Sequence, residues 1–190
     1  MNNIKKNFYL TRRSVTAKNM DSKLINKEDL EIILSAGVRV PDHGALSPWR
    51  IIVMQGESLK EIDKKIIYSE YKKNNPKKKE EEINIQSFRL QRASAVIAVI
   101  SSPINHSTIP KWEMQLSAGA VCMNILSSAQ SMGYAAQWLT EWYAYNDKML
   151  VHLGGELGKD KIAGFIYIGY KKEEPLERKR PEISKIVKYL

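Results

Sequence analysis

Arg12-Arg13-Ser14 near the start of the chain and Arg178-Lys179-Arg180-Pro181 near its end are two clusters of guanidinium groups. Arginine is always charged and presents a planar fork that matches phosphate oxygens. Two such clusters in one small domain suggest a shared task, and the chemistry they suit is gripping a phosphate. Between them lies Pro41-Asp42-His43-Gly44-Ala45-Leu46-Ser47-Pro48-Trp49-Arg50, a loop-like segment rich in polar and turn-forming residues. A phosphate-tailed cofactor held by the arginines would place the chemistry on the cofactor and not on a side-chain nucleophile.

The usual side-chain machinery is missing from the sequence. No G-x-G-x-x-G follows an expected strand, and no G-x-x-x-x-G-K-[ST] occurs. Gly154-Gly155 and Gly158 read as a turn. His43, His106 and His152 are far apart and lack metal-site spacing. His106 and His152 read as surface or satisfied residues. Cys122 falls in an apolar helix with no evident base nearby and reads as a small hydrophobe. No serine sits in a G-x-S-x-G elbow.

The elements that must position the arginines follow from periodicity. Ile4, Phe8 and Leu10 suit a short helix over Ile4 to Arg12. Asn26 caps a helix that opens Lys27-Glu28-Asp29-Leu30, carries Leu30, Ile33, Leu34 and Val38 on one face, and is stopped by Pro41. Ile51 to Met54 and Ala95 to Ile100 are β-branched or apolar runs and read as buried strands. Ser58 to Tyr71 and Lys77 to Arg92 read as two exposed amphipathic helices, separated at Asn74-Asn75-Pro76. Trp112 to Met132 is small and apolar nearly all round, hence a buried helix, with Gly133 as its cap. Ala135 to Leu139 is expected to be a strand, Asp147 to Leu153 a short helix, and Ala163 to Gly169 a central strand. Ile183, Ile186, Val187 and Leu190 could pack at the end of the chain. Helices and strands mix without strict alternation, which fits an α+β three-layer sandwich formed by a single domain over residues 1–190.

The 190 residues suffice for one domain with a real core, and 43% are hydrophobic, so the chain is globular. A formal charge of +9 invites a nucleic-acid reading. Much of the excess lies in runs such as Lys72-Lys73 and Lys77-Lys78-Lys79, the latter followed by Glu80-Glu81-Glu82 at helical pairing distance. Those runs read as solvated helix faces, and neither an aromatic stripe on a basic strand nor a recognition-helix pattern occurs. A single cysteine rules out an intrachain disulfide and suits a reducing compartment. The opening Met1-Asn2-Asn3-Ile4-Lys5-Lys6 lacks an apolar signal core, and no apolar stretch approaches the ~18 residues of a membrane span. The expectation is a soluble, cytoplasmic protein that binds neither nucleic acid nor membrane.

Taken together, these segments resemble the FMN-dependent nitroreductase family, close to its small bacterial NAD(P)H nitroreductases. The residues that carry the resemblance are Arg12-Arg13-Ser14, Arg39-Val40-Pro41-Asp42-His43, Ser47-Pro48-Trp49-Arg50, Pro110-Lys111-Trp112-Glu113 leading into Ser117-Ala118-Gly119, Gly133 to Thr140, and Arg178-Lys179-Arg180-Pro181. It runs nearly end to end, and order and spacing make it specific where each piece alone is weak. It implies a nitroreductase-like α-β-α sandwich around a mixed, largely antiparallel sheet. It also implies a homodimer with FMN at the subunit interface.

Carried over by position, the resemblance makes Arg12, Arg178 and Arg180 the holders of the FMN phosphate. Arg13 and Ser14 would contact the ring edge, ribityl chain or phosphate. Arg39, Pro41, Asp42 and His43 would reach the flavin of the partner subunit. Thr140, Glu141, Trp142 and Tyr143 would lie against the isoalloxazine ring, and Met132, Gly133, Tyr134, Ala135, Ala136 and Gln137 are candidates for nicotinamide-cofactor contact. No catalytic residue and no metal is implied. Many relatives have glycine where this chain has Glu141.

The residues also have ordinary uses. Arg178 and Arg180 could be a solvated tail, Arg12 and Arg13 cations at a helix C-terminus, and His43 a loop histidine. Trp49 reads as an aromatic anchor beside a strand, as do Trp138 and Trp142, although one of these two could wall a flat ligand. Trp112 and Glu113 would fix the long helix and the dimer. The function implied is hydride transfer from NADH or NADPH through flavin N5 to a nitroaromatic, quinone or flavin acceptor, with ping-pong kinetics. A flavin-assisted cleavage or dehalogenation enzyme, a flavin-holding protein without turnover, and a basic nucleic-acid-binding module are the alternatives.

Overall fold

The computed structural model describes residues 8–190. Residues 4–7 of the first expected helix lie outside them, as does the Met1 to Lys6 opening, and residues 8–11 are helical. The strands are β1 (Met20–Asp21), β2 (Trp49–Gln55), β3 (Ala95–Ser101), β4 (Ala135–Leu139) and β5 (Lys161–Lys171). The principal helices are α1 (Lys27–Gly37), α2 (Glu57–Ile62), α3 (Ser69–Asn74), α4 (Glu80–Asn84), α5 (Lys111–Ser131), α6 (Asp147–His152) and α7 (Ile183–Ile186).

The five strands form one sheet. β5 pairs with β3, β4 and β1, and β3 pairs in turn with β2. Every pairing among the described residues is antiparallel, the limiting case of the largely antiparallel sheet expected. β5 is central, as its apolar run implies, since a strand buried on both faces cannot alternate with polar residues.

Strand alternation builds the three layers. Ala95, Ile97 and Val99 of β3 and Ile166 and Ile168 of β5 pack under α1 and α5 with Ile33, Val121, Cys122 and Ile125. Val96, Ala98 and Ile100, with Phe165 and Tyr167, enter the opposite core with Ile62, Ile67, Leu90 and Tyr143. Successive side chains point to opposite faces, so each strand feeds both cores.

Helix starts are local. The Asn26 side chain accepts from Asp29 N–H at 2.7 Å, and the Asn146 side chain caps α6 by accepting from Met149 N–H at 3.0 Å. Gly133 closes α5 at φ 91°. Two expectations need correction. Residues 77–92 do not form one helix: α4 gives way to tight 3-10 turns at Ile85–Phe88 and Leu90–Arg92. The cause is Asp63, fully buried, whose carboxylate accepts the N–H groups of Leu90 at 2.8 Å and Gln91 at 3.2 Å and removes them from any helical ladder. At the C-terminus, Ile183, Ile186, Val187 and Leu190 are exposed instead of packed against the described residues.

Candidate functional site

The two arginine clusters, distant in sequence, come together. Arg12 follows the helical turn 8–11, its N–H bonded to the Phe8 carbonyl. Arg13 donates from Nε and Nη2 to the Leu176 carbonyl, at 3.1 and 2.9 Å, which joins the N-terminal segment to the C-terminal one. Glu177 accepts from Arg180 Nε at 3.1 Å and Nη2 at 2.9 Å and lies 3.7 Å from Arg13 Nε. A pocket of about 290 Å³ opens here, lined by Arg12, Arg13, Gln130, Lys171 and Glu177 among others.

Arg12 is the informative member. Its Nη1 is buried without a hydrogen-bond partner. Burial lowers its pKa, and so does the field of Arg180, Arg13 and Arg178. A guanidinium whose charge is disfavoured by three neighbours, with a donor left over, is one that an anion would stabilise. Gln130, which sequence reading missed, organises the floor. Its side-chain amide donates to the Arg13 carbonyl at 2.9 Å and the Ala136 carbonyl at 3.1 Å, and its Oε1 is buried and unpartnered. Ser14 is half-buried beside these arginines.

The stretch after β4 offers backbone more than side chains. Tyr143 is fully buried with its hydroxyl 2.5 Å from that of Tyr167. Trp142 packs on Tyr71 and Tyr143 and donates to Gln86 Oε1 at 3.3 Å. Thr140 is exposed. Glu141 has φ 55° and ψ 171°, a region that glycine alone enters freely, at a cost of about 1–3 kcal/mol for other residues. Its carboxylate turns toward Arg92 Nη2, at 3.1 Å, and Arg89 Nη1, at 3.9 Å.

Met132 and Gly133 cap α5. Tyr134 donates to Asp29 at 2.5 Å, Ala135 and Ala136 are buried, and Gln137 Oε1 accepts from Ala17 N–H at 2.7 Å. The side chains of residues 134–137 are thus engaged in the fold.

The 39–43 segment belongs to a different region. Asp42 accepts from Leu46 N–H at 3.2 Å and Ser47 N–H at 2.7 Å, stabilising a loop in which Gly44, Ala45 and Ser47 all have positive φ. Ser117 Oγ donates to the Pro41 carbonyl at 2.8 Å and accepts from Trp49 Nε1 at 3.2 Å. Asn124 donates to the Arg39 carbonyl at 2.8 Å, while the Arg39 side chain is exposed. His43 Nδ1 lies 2.8 Å from Glu113 Oε2 in the first turn of α5. Gln130, at the other end of α5, supports Arg13. A helical rise of about 1.5 Å per residue puts Glu113 and Gln130 about 25 Å apart. The structure therefore joins Arg12, Arg13, Arg178 and Arg180 in one place and His43 with its neighbours in another.

Cys122 and His106 sit as expected from the sequence, one buried and the other at the surface. Cys122 is buried and its thiol is pushed up to about 12 by burial, so it is not a nucleophile at neutral pH. His106 Nδ1 accepts from Ile109 N–H at 3.1 Å. No grouping of three or more metal-ligating side chains occurs among the described residues, and no helix among them is long and apolar enough to cross a membrane.

Comparison with known proteins bears on the family and the fold. The profile of the Nitroreductase family matches residues 9–170, which leaves Arg178 and Arg180 beyond its span. "Putative NAD(P)H nitroreductase YdjA" of Escherichia coli K12 is 29% identical over 146 residues, 75% of each chain. "Putative NAD(P)H nitroreductase" of Haemophilus influenzae is 29% identical over 160 residues, 84% of each chain. Among solved structures, a nitroreductase-like protein from Bacillus cereus superposes with a TM-score of 0.81 at 21% identity, covering 100% of this chain and 97% of the other. A nitroreductase with bound FMN from Bacteroides fragilis gives 0.72 at 20% identity and 99% coverage of both. With 162 of its residues spanned by that profile and the same fold throughout, this chain belongs to the nitroreductase family.

Proposed function

We propose that the protein is an FMN-dependent NAD(P)H oxidoreductase that works as a homodimer. The observation that carries this reading is Arg12, whose shielded, unpartnered Nη1 sits within the field of three further arginines. A phosphate dianion would satisfy that donor and relieve the repulsion, so the residues present fit the FMN tail. When bound, FMN supplies the hydride-accepting chemistry that lets electrons pass from NADH or NADPH to a nitroaromatic, quinone or flavin acceptor.

The chain's own contribution is binding and orientation. Arg12, Arg178 and Arg180 hold the phosphate, and Arg13 and Ser14 border it. The 140–143 backbone, fixed by the burial of Tyr143, forms a rigid edge for the ring. Its glycine-like turn at Glu141 brings main chain close with little side-chain bulk. Cys122 is compatible with a reducing, cytoplasmic setting.

Dimerisation is supported by two features. His43, paired with Glu113, lies at the far end of α5 from the arginine pocket, so it meets a flavin only if another copy brings its own pocket there. Trp112 and Leu116, one helical turn apart on α5, are 66% and 54% exposed, and such an apolar pair suits a covered face.

The test is an absorbance spectrum of the purified protein before and after anaerobic NADPH and NADH. Flavin bands that bleach with either donor are expected. Flavin bands that neither donor bleaches would favour a flavin-holding protein without turnover. No flavin, even after incubation with FMN, overturns the proposal.

A further inference from the structure

Glu141 and Trp142 both reach back to one short segment, residues 86–92. Trp142 Nε1 donates to Gln86 Oε1 at 3.3 Å, and the same oxygen accepts from Arg89 Nε at 3.0 Å. Arg92 Nη2 donates to Glu141 Oε1 at 3.1 Å, and Arg89 Nη1 stands 3.9 Å from that oxygen. The segment is itself held rigidly. Arg92 Nε donates to the Arg89 carbonyl at 2.7 Å, and its guanidinium lies over the Tyr167 ring, 5.4 Å from the centroid. Asp63, buried at the start of a π-helical stretch (Asp63–Tyr68), fixes the preceding turn by accepting from Leu90 N–H, Gln91 N–H and Gln91 Nε2.

Glu141 needs such an anchor. At φ 55° and ψ 171° its backbone occupies a conformation that a Cβ disfavours, and only surrounding structure can hold it there. The one side-chain group able to pull on it is the carboxylate, and that group is gripped by Arg92. The pair is three-quarters shielded, with side-chain exposures of 24% and 23%, so water screens it weakly.

We propose that Arg92 is a positioning residue for the cofactor: its ion pair with Glu141 locks the 140–142 turn in a glycine-like backbone conformation. This rests on the FMN reading, which sets that turn against the ring. Arg92 acts on the turn through Glu141. A chain with glycine at this position would need no such arginine. The inference is therefore a coupling between two positions, and a double-mutant cycle measures it.

The experiment compares wild type, R92M, E141G and the double variant, with FMN affinity read by flavin fluorescence quenching and the flavin reduction potential read by dye equilibration. Methionine keeps an apolar stem over Tyr167 while removing the charge. With Glu141 present, R92M is expected to weaken FMN binding by about tenfold or more, because it leaves a shielded carboxylate with only the longer Arg89 contact at 3.9 Å. In the E141G background, the same change should cost less than about threefold. The potential should shift with R92M only when Glu141 is present. Equal effects of R92M in both backgrounds, or none in either, overturn the inference while FMN binding by the wild type leaves the functional reading intact. A wild type that binds no FMN overturns both.

If R92M fails to fold with Glu141 but folds in the E141G background, the coupling is confirmed by that rescue. If it folds in neither, R92K replaces it: a loss confined to chains that keep Glu141 upholds the inference, and a loss that is equal or larger in the E141G background overturns it.

Discussion

Arg13 and Leu176 are joined by two hydrogen bonds from one guanidinium to one carbonyl, across 163 residues of sequence. The consequence is that the two ends of the domain form one basic pocket whose geometry is set by main chain. Arg13 is thereby tied into the fold, and Arg12, with its unpartnered Nη1, has a donor left over.

Replacing Arg12 with alanine should separate ligand binding from folding. A charge-assisted hydrogen bond is worth about 1.5–3 kcal/mol, so FMN affinity should fall by roughly 10- to 150-fold. The flavin-free protein should melt no lower than wild type, because the change removes a cation that burial and three arginines disfavour. Fluorescence titration with FMN and a thermal melt without it check the two halves. A lower melting temperature together with unchanged affinity would make Arg12 a structural residue.

Glu177 is the carboxylate among these arginines. Its pKa is lowered by the Arg178 N–H, then by Arg180 and Arg13, so it is ionised wherever FMN would bind. An ionised carboxylate at the edge of a phosphate site repels the ligand while it orders the arginines. The exposed position makes repulsion the larger effect in E177Q, which keeps an acceptor oxygen. FMN should bind about two- to fivefold more tightly in that variant, a gain that shrinks with added salt. Weaker binding would show that ordering Arg180 matters more.

How much of this was legible in the sequence depended on the range of the interactions. The Asn26 cap, the apolar runs of β3 and β5 and the glycine stop after α5 are local patterns, and they read correctly. The arginine pairs could be suspected of sharing a ligand because their side-chain type fits one. Gln130, Arg92 and Glu177 gave no such sign, since an amide, a helix-end cation and a surface acid are ordinary in their neighbourhoods. Residues 77–92 looked like one helix because nothing in that stretch reveals that Asp63, far upstream, takes two of its N–H groups. The conformation of Glu141 was hidden for a similar reason: a glutamate carries no sequence signal for positive φ.

The exposed pair on α5 leads to a prediction about assembly. Burying a large apolar side chain contributes about 1.5–3 kcal/mol, so placing charges at both Trp112 and Leu116 should weaken a dimer at least about 100-fold. W112E/L116E is expected to sediment as a monomer and to lose FMN, because the Arg39 to His43 loop would no longer be presented to a second pocket. Sedimentation equilibrium and flavin content measured on the same sample check this. A monomer that keeps its FMN would mean that one chain builds the whole site.

Alkaline stability tests the buried Tyr143–Tyr167 pair beneath the 140–143 turn. Burial raises both phenols, Tyr143 well above its ordinary value of 10.0 and Tyr167 to about 12. An acid whose pKa is higher in the folded state holds its proton there longer, so the folded state binds more protons between the two values. Stability is fully present below about pH 10 and falls as pH rises through 12, at roughly 1.4 kcal/mol per unit for each phenol. Cys122, raised from 9.0 to about 12 by burial, adds a loss of the same sign that starts near pH 9. Y143F removes one phenol and leaves the Tyr167 hydroxyl without its partner at 2.5 Å. It should therefore cost about 1 kcal/mol at pH 7, from the lost hydrogen bond, and flatten the decline above pH 10. Denaturant melts of wild type and Y143F from pH 7 to 11, both carrying C122A, measure the two slopes. Parallel curves would mean that Tyr143 ionises equally easily in the folded and unfolded chain, and the floor beneath the cofactor turn would then be wetter than its packing indicates.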